Sequence, residues 1–286
     1  AVDGDLSKYG PLNKDGQGKA EIPNDATERR KFLSKWSEDN KAKALKGLGI
    51  SVLLLPLAAC GGGGTVETIN TDPPTVARLI DGYITNGFVF RDENGDGIFQ
   101  SSTEASAYSG SDGFVTIGGT SSKPIILDQS QDPEGRTAVD LDKPNEAFTS
   151  VLATTGGSSV VTPLTTMVKQ LVDSGESEAA AQTAVKSALG ISSAVDLSTV
   201  DPIASDNVEV YKAGVQVAGL MQAAGGGAAG LEVTKALSSA AKTAAASSGT
   251  VDLTSADAVR SIVAAAKTAN PSALSAVDVD EVSVSS

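Results

Sequence analysis

The hydrophobic period of this chain changes once, near residue 160, and that change limits its fold more than any other feature. Before it, apolar residues come in short runs at 79–84, 88–91, 114–117, 124–127 and 147–152, bounded by Gly, Ser, Asp and Asn. Runs of this length and punctuation predict strands. Asn86-Gly87, between the first two, is a strong hairpin-turn signal.

From Thr162 the spacing is helical. Thr162 can cap, Pro163 suits the first helical position, and Leu164, Met167, Val168, Leu171 and Val172 share one face. A second helix is expected over 178–189, with Ala181, Ala184, Val185, Ala188 and Leu189 inward and Gly190 as its stop. A third, over 207–223, has Asp206 and Glu209 as a capping-box-like pair. It is apolar on two sides (Val208, Tyr211, Val215 and Ala218; Val210, Val217 and Met221), which marks it as the central helix. After the break at Gly225-Gly226-Gly227, a fourth covers 231–246. A fifth is capped by Thr254, with Asp257 at its third position and Val259, Ile262, Val263 and Ala266 inward. The class is therefore α+β: a small antiparallel β-sandwich-like module at 77–157, then an Ala-rich helical module at 158–276. Residues 277–286 read as an acidic strand or tail. With aromatics at 4%, the core must be built from Val, Leu, Ile and Ala.

The segment ahead of residue 77 has a different logic. Residues 1–46 hold ten basic and eight acidic side chains, residues 47–60 none, and residues 61–286 twelve basic against 27 acidic. The first 46 residues form a mostly disordered polar and basic leader. Its end, from Arg29 to Lys46, is a basic flank to the apolar stretch 48–59. That stretch is too short for a membrane-spanning helix and suits a signal-peptide core. It closes on Leu57-Ala58-Ala59-Cys60, the order of a bacterial lipobox, where the cysteine takes the lipid. Cys60 is the one cysteine in the sequence. Gly61–Gly64 and the rest of 61–76 make a flexible linker. The long stretch ahead of the apolar core and the Ala1 start leave open a removed initiator, a fragment or a start further in.

The sharpest motif in the body is Asp92-Glu93-Asn94-Gly95-Asp96-Gly97-Ile98-Phe99-Gln100, continuing to Glu104. Oxygen-bearing side chains at loop positions one, three and five, with Gly at six, match the start of an EF-hand-type calcium loop. Ca²⁺ wants about six to eight oxygens, and alternate residues of a tight turn can offer them. Asp92, Asn94 and Asp96 supply the first three. Ile98 adds its carbonyl, Gln100 binds directly or through water, and Glu104 closes the site. Glu104 stands thirteenth, with Thr103 in the twelfth place, so either a one-residue bulge absorbs the shift or the site is weak. An affinity of about 10⁻⁴ to 10⁻³ M, that of extracellular modules, would make calcium a staple rather than a signal. A solvated Asp/Asn/Gly turn is the alternative.

Composition narrows the chemistry. With no histidine there is no Ser-His-Asp or Cys-His pair and no His-ligated zinc. A net charge of −13 argues against nucleic-acid partners. Ser205-Asp206-Asn207 and Ser239 with Lys242 imitate penicillin-binding motifs, but in reversed order and without Lys-Thr-Gly. Eleven aromatics with a single Trp offer little to a glycosidase.

Three segments together carry a resemblance: the lipobox with its Gly run, Asp81-Gly82-Tyr83-Ile84 leading to the 92–97 loop, and Val160-Val161-Thr162-Pro163-Leu164-Thr165-Thr166 with the helix pair and Asp201-Pro202 after it. This combination, over 48–220, resembles the N-terminal region of large bacterial cell-surface proteins, the adhesins and RTX-like calcium-binding surface lipoproteins. The resemblance implies export, surface display and cation binding, with no catalytic set. No Gly-Gly-x-Gly-x-Asp repeat occurs here. The expectation is a non-enzymatic lipoprotein, held in the outer membrane or at the cell surface through Cys60, acting in adhesion or in display of a larger array. A periplasmic or outer-membrane lipoprotein binding a small ligand or an envelope polymer is the alternative. A carboxylate-based hydrolase comes third.

Overall fold

The computed structural model describes residues 72–282. The leader, the lipobox residues Leu57, Ala58 and Ala59, and Cys60 lie outside the described residues.

Among the described residues, nine short strands come first: β1 (Thr75–Leu79), β2 (Ile84–Thr85), β3 (Phe88–Arg91), β4 (Ser106–Tyr108), β5 (Phe114–Ile117), β6 (Ile125–Leu127), β7 (Val139–Asp140), β8 (Leu152–Thr154) and β9 (Val160–Val161). Five helices follow: α1 (Pro163–Asp173), α2 (Glu178–Ala188), α3 (Val208–Ala223), α4 (Gly227–Ala246) and α5 (Ala256–Ala269). The α+β class expected from the change of period is the class observed.

The strands form an antiparallel sheet ordered β4-β3-β6-β8, a second sheet ordered β5-β1-β9 and the pair β2-β7. In the second sheet β1 runs antiparallel to β5 but parallel to β9. The run at 79–84 is two strands, broken at Asp81-Gly82. The Asn86-Gly87 turn is present, with Asn86 at φ 55, yet it closes no hairpin: β2 pairs with β7, whereas β3 pairs with β4 and β6. A side chain at Gly87 would overlap Leu79 and Leu127, so this turn serves to pass the chain between sheets through a tight gap. The strand expected at 147–152 forms at Leu152–Thr154.

α1 begins as its sequence prescribes. Thr162 and Thr165 form a reciprocal capping box, and Pro163 opens the helix. Thr165 and Thr166 also serve β8, which is the edge of its sheet: Thr165 Oγ1 donates to the Ala153 carbonyl at 2.8 Å, and Thr166 Oγ1 accepts the Ala153 N–H at 2.9 Å. A helix end thus closes a strand edge whose backbone groups would otherwise be unpaired.

Two caps differ from expectation by one residue. α3 is capped by Asn207, whose side chain accepts from Val210 N, while Asp206 takes φ 51. α5 is capped by Ser255 rather than Thr254. The central helix is α4, which packs on α1, α2, α3 and α5. Its small residues explain this: a Cβ at Gly230 would stand 2.9 Å from the Met221 carbonyl oxygen of α3, so glycine there lets two helix backbones close up. α3 is peripheral, leaving Val208 76% and Val215 41% exposed. Residues 277–282 form turns, not a strand, with Val282 buried.

One apolar cluster runs from Ala77 and Leu79 through Leu152, Leu164, Val233 and Val263, so strands and helices share a core. A smaller cluster of Phe88, Phe90, Ile126, Val151 and Ala153 sits on the other face of the β3 sheet, joined by Phe99, Tyr108 and Leu231. Arg78, 3% exposed, locks β1 to the segment before α3: it pairs with Asp201 at 2.7 Å and lies against the Tyr83 and Phe114 rings.

Candidate functional site

The oxygen-rich loop at 92–104 joins β3 to β4, so it is the connection of a β-hairpin rather than of two helices. It leads directly into β4 at Ser106. Its neck is tied by Arg91 N donating to Ala105 O at 2.9 Å and Asp92 N to Pro124 O at 3.1 Å. Behind the neck Arg91 is fully buried, its guanidinium donating to the carbonyls of Gly118 and Lys123 and to Thr75 Oγ1. Burial holds the Arg91 pKa below the usual arginine value.

Within the loop each predicted ligand has a definite place. Asp92, 1% exposed, accepts the N–H groups of Gly95 (2.7 Å) and Gly97 (3.1 Å). Gly95 and Gly97, at φ 82 and 73, make the bends that aim those N–H groups inward. Asn94 Oδ1 accepts from Asp96 N, and Asp96 Oδ1 from Ile98 N at 2.8 Å. The Ile98 hydrogen bond, followed by those from Asn94 and Gln100, holds the Asp96 carboxyl below its ordinary range. Asn94 and Gln100 both donate to Asp96 Oδ2 at 2.9 Å, so these three side chains meet at the tip. Ile98 is 59% exposed.

Glu104, although thirteenth, turns inward and is 7% exposed, while Thr103 faces solvent. Its two oxygens accept Glu93 N and Gln100 N, both at 3.0 Å. The tight turn in which Thr103 N and Glu104 N share the Gln100 carbonyl takes up the extra residue. Among the described residues neither Asp92 nor Glu104 pairs with Lys or Arg. Six oxygen donors thus share one hairpin connection, a donor set whose chemistry suits a hard cation. The carboxylates themselves are turned to backbone N–H groups, and no cluster of three or more His, Cys, Asp or Glu placed to hold a metal ion occurs among the described residues.

Two supports were not read from the sequence. Gln131, at the end of a 3₁₀ turn (Gln129–Gln131), accepts Phe99 N at 2.7 Å and donates to the Gly97 carbonyl at 3.0 Å. Gln129 accepts Phe88 N. The polar run 128–132 is visible in the sequence, but its pairing with a loop some 30 residues away is not.

The second feature is a pair of carboxylates. Asp140, 5% exposed, accepts Gly82 N and Asp142 N through the same oxygen. Burial lifts its pKa to about 6. Asp81, half-buried at the end of β1, is pushed up to about 7 by burial and then by the charge of Asp140. No hydrogen bond reaches the Asp81 carboxylate from any described residue. The two open onto different clefts. Asp81 lines a shallow apolar groove with Ile80, Pro163, Leu197, Tyr211 and Val215, whereas Asp140 lines a polar cleft with Lys143, Glu146, Thr149 and Gln222.

Among the described residues no helix is long and apolar enough to cross a membrane. Comparison with protein-family models, with curated proteins and with solved structures found no match.

Proposed function

We propose that residues 72–282 are the exported, non-enzymatic body of a bacterial cell-surface lipoprotein, anchored through Cys60 and stapled by calcium at the 92–104 loop. It acts in adhesion or in display of a larger extracellular array. One observation carries the reading: Asp92 and Glu104 are buried at the base of a glycine-bent hairpin loop without a cationic partner. Buried carboxylates are paired, hydrogen-bonded or metal-bound. Here backbone N–H groups donate to both carboxylates, while Asn94, Asp96, Ile98 and Gln100 bring further oxygens.

A hydrolase has Asp81 and Asp140 in its favour, since carboxylates with raised pKa values mark acid–base sites. They open onto separate clefts, and we prefer the surface-protein reading.

Calorimetric titration with calcium should give saturable heat at about 10⁻⁴ to 10⁻³ M. The double variant Asp92→Ala/Asp96→Ala should give none, and 10 mM calcium should stabilise only the parent, by about 1.5–3 kcal/mol. Equal heats from both proteins would remove the cation site. Mass spectrometry of protein from the producing cell should find an acylated Cys60 at the N-terminus; mature protein that retains residues 1–59 would remove the anchor.

A further inference from the structure

We propose that Asn94-Gly95 is a self-modifying site, at which the folded loop drives deamidation of Asn94 through a succinimide to aspartate and isoaspartate. The sequence contains two Asn-Gly pairs, Asn86-Gly87 and Asn94-Gly95. Glycine after asparagine leaves the backbone nitrogen unhindered, so it can close a five-membered ring on the side-chain carbonyl carbon.

The fold treats the two pairs differently. Gly87 N donates to Ser109 Oγ at 2.9 Å, and that hydroxyl donates to the Ile84 carbonyl at 2.6 Å. This contact is buried, and Leu79 and Leu127 fill the space beside Gly87. Around Asn94-Gly95 three contacts suit the reaction. Gly95 N, the attacking atom, donates to Asp92 Oδ1 at 2.7 Å, a group that can take its proton. Asn94 Oδ1, where negative charge develops, accepts Asp96 N–H at 3.0 Å. Asn94 Nδ2, the leaving nitrogen, is held by Asp96 Oδ2 at 2.9 Å and Gln100 Oε1 at 3.3 Å. Asn94 is exposed, and a Cβ built on Gly95 would meet nothing within 4 Å, so water has access.

The step balances without a further reagent. Gly95 N bonds to Asn94 Cγ as its proton passes to Asp92. The Cγ–Nδ2 bond then breaks, and the nitrogen leaves with that proton as ammonia. Water opens the ring: addition at Cγ gives aspartate, and addition at the Asn94 backbone carbonyl gives isoaspartate. Aspartate there adds a third carboxylate to those of Asp92 and Asp96 at alternate loop positions. The reaction itself uses no metal, so it stands apart from the calcium reading.

The test incubates the full chain in EDTA at neutral pH and follows it by tryptic mass spectrometry. Cleavage after Arg91 separates the two Asn-Gly pairs. Isoaspartate is counted with an isoaspartyl methyltransferase. A synthetic peptide of residues 88–100 supplies the rate without the fold. Asn94 in the folded chain should deamidate at least fivefold faster than in the peptide and faster than Asn86. Asp92→Asn, whose amide oxygen can still accept Gly95 N–H but takes its proton poorly, should bring Asn94 down to the peptide rate or below. A folded chain in which Asn94 reacts no faster than the peptide, or an unchanged rate in Asp92→Asn, would overturn the proposal. If Asp92→Asn does not fold, the comparisons with the peptide and with Asn86 decide alone.

Discussion

Gly156 and Gly157 are neighbours with different reasons to be glycine. A Cβ on Gly156 would stand 1.9 Å from the Ser122 carbonyl oxygen, a backbone atom that cannot swing away. Gly157 has open space around it but takes φ 82, with its N–H bonded to Ser121 O at 2.9 Å. Gly157→Ala should therefore cost about 1 kcal/mol of backbone strain. Gly156→Ala must separate two backbone segments and should cost about 3 kcal/mol or more. Urea unfolding of the two variants compares them, and equal losses would contradict the close approach of residues 122 and 156. The same scale shows what the sequence could say of the loop. Asp92, Asn94, Asp96 and Gly97 were legible because their roles depend on spacing within six residues. Glu104 was legible as a candidate, but its inward turn depends on the hydrogen bonds of Thr103 and Glu104 to Gln100. Gln131 and the pairing of Asp81 with Asp140 were not, because only the tertiary fold brings those residues to their sites.

At the scale of elements, the Thr162-Pro163-Leu164-Thr165-Thr166 segment does two jobs, and the second gives a sharp prediction. Thr166, fully buried, accepts Ala153 N and donates to Thr162 O at 2.8 Å. Thr166→Val keeps the shape but leaves the Ala153 N–H buried without an acceptor, which should cost about 1–3 kcal/mol. Thr183→Val, on the exposed side of α2, should stay within about 0.5 kcal/mol of the parent. Chemical denaturation measures both, and faster hydrogen exchange at Ala153 in the first variant alone would locate the loss. A neutral Thr166→Val would remove the clamp on the β8 edge. Helices were the easier elements to read, because their signals are local: Thr162, Pro163 and Gly190 mark ends within one turn. Strand pairing was not local. Asn86-Gly87 signalled a turn correctly, but whether β2 pairs across it depends on β7, more than fifty residues later. The choice of α4 over α3 as the central helix follows the same lesson, since hydrophobic count favours α3 whereas close packing favours the Gly- and Ala-rich α4.

For the whole molecule, the acidic balance of residues 61–286 becomes a pH dependence. Asp81 and Asp140 carry folded-state pKa values of about 7 and about 6, above the ordinary aspartate value of 3.8. Between pH 4 and 7 the native protein therefore holds protons that the unfolded chain has released. Stability must fall as pH rises through that window. On the acid side, Asp96, Asp196 and Asp252 are lowered by hydrogen bonds from Ile98 N, Ser198 and Thr254, so their contribution is lost as pH falls below the ordinary carboxylate range. The two trends place the stability maximum near pH 5. Scanning calorimetry in EDTA, which keeps calcium out of the balance, should show Tm falling from pH 5 to pH 8. With Asp81 and Asp140 together worth on the order of 3 kcal/mol across that range, a drop of roughly 6–12 °C is expected. The double variant Asp81→Asn/Asp140→Asn removes both charges, and the amide oxygen it places at position 140 can still accept Gly82 N. Its Tm should vary by no more than about 3 °C over the same range and exceed the parent's at pH 8. A parent profile flat between pH 5 and pH 8 would mean that these carboxylates ionise as freely in the fold as in water.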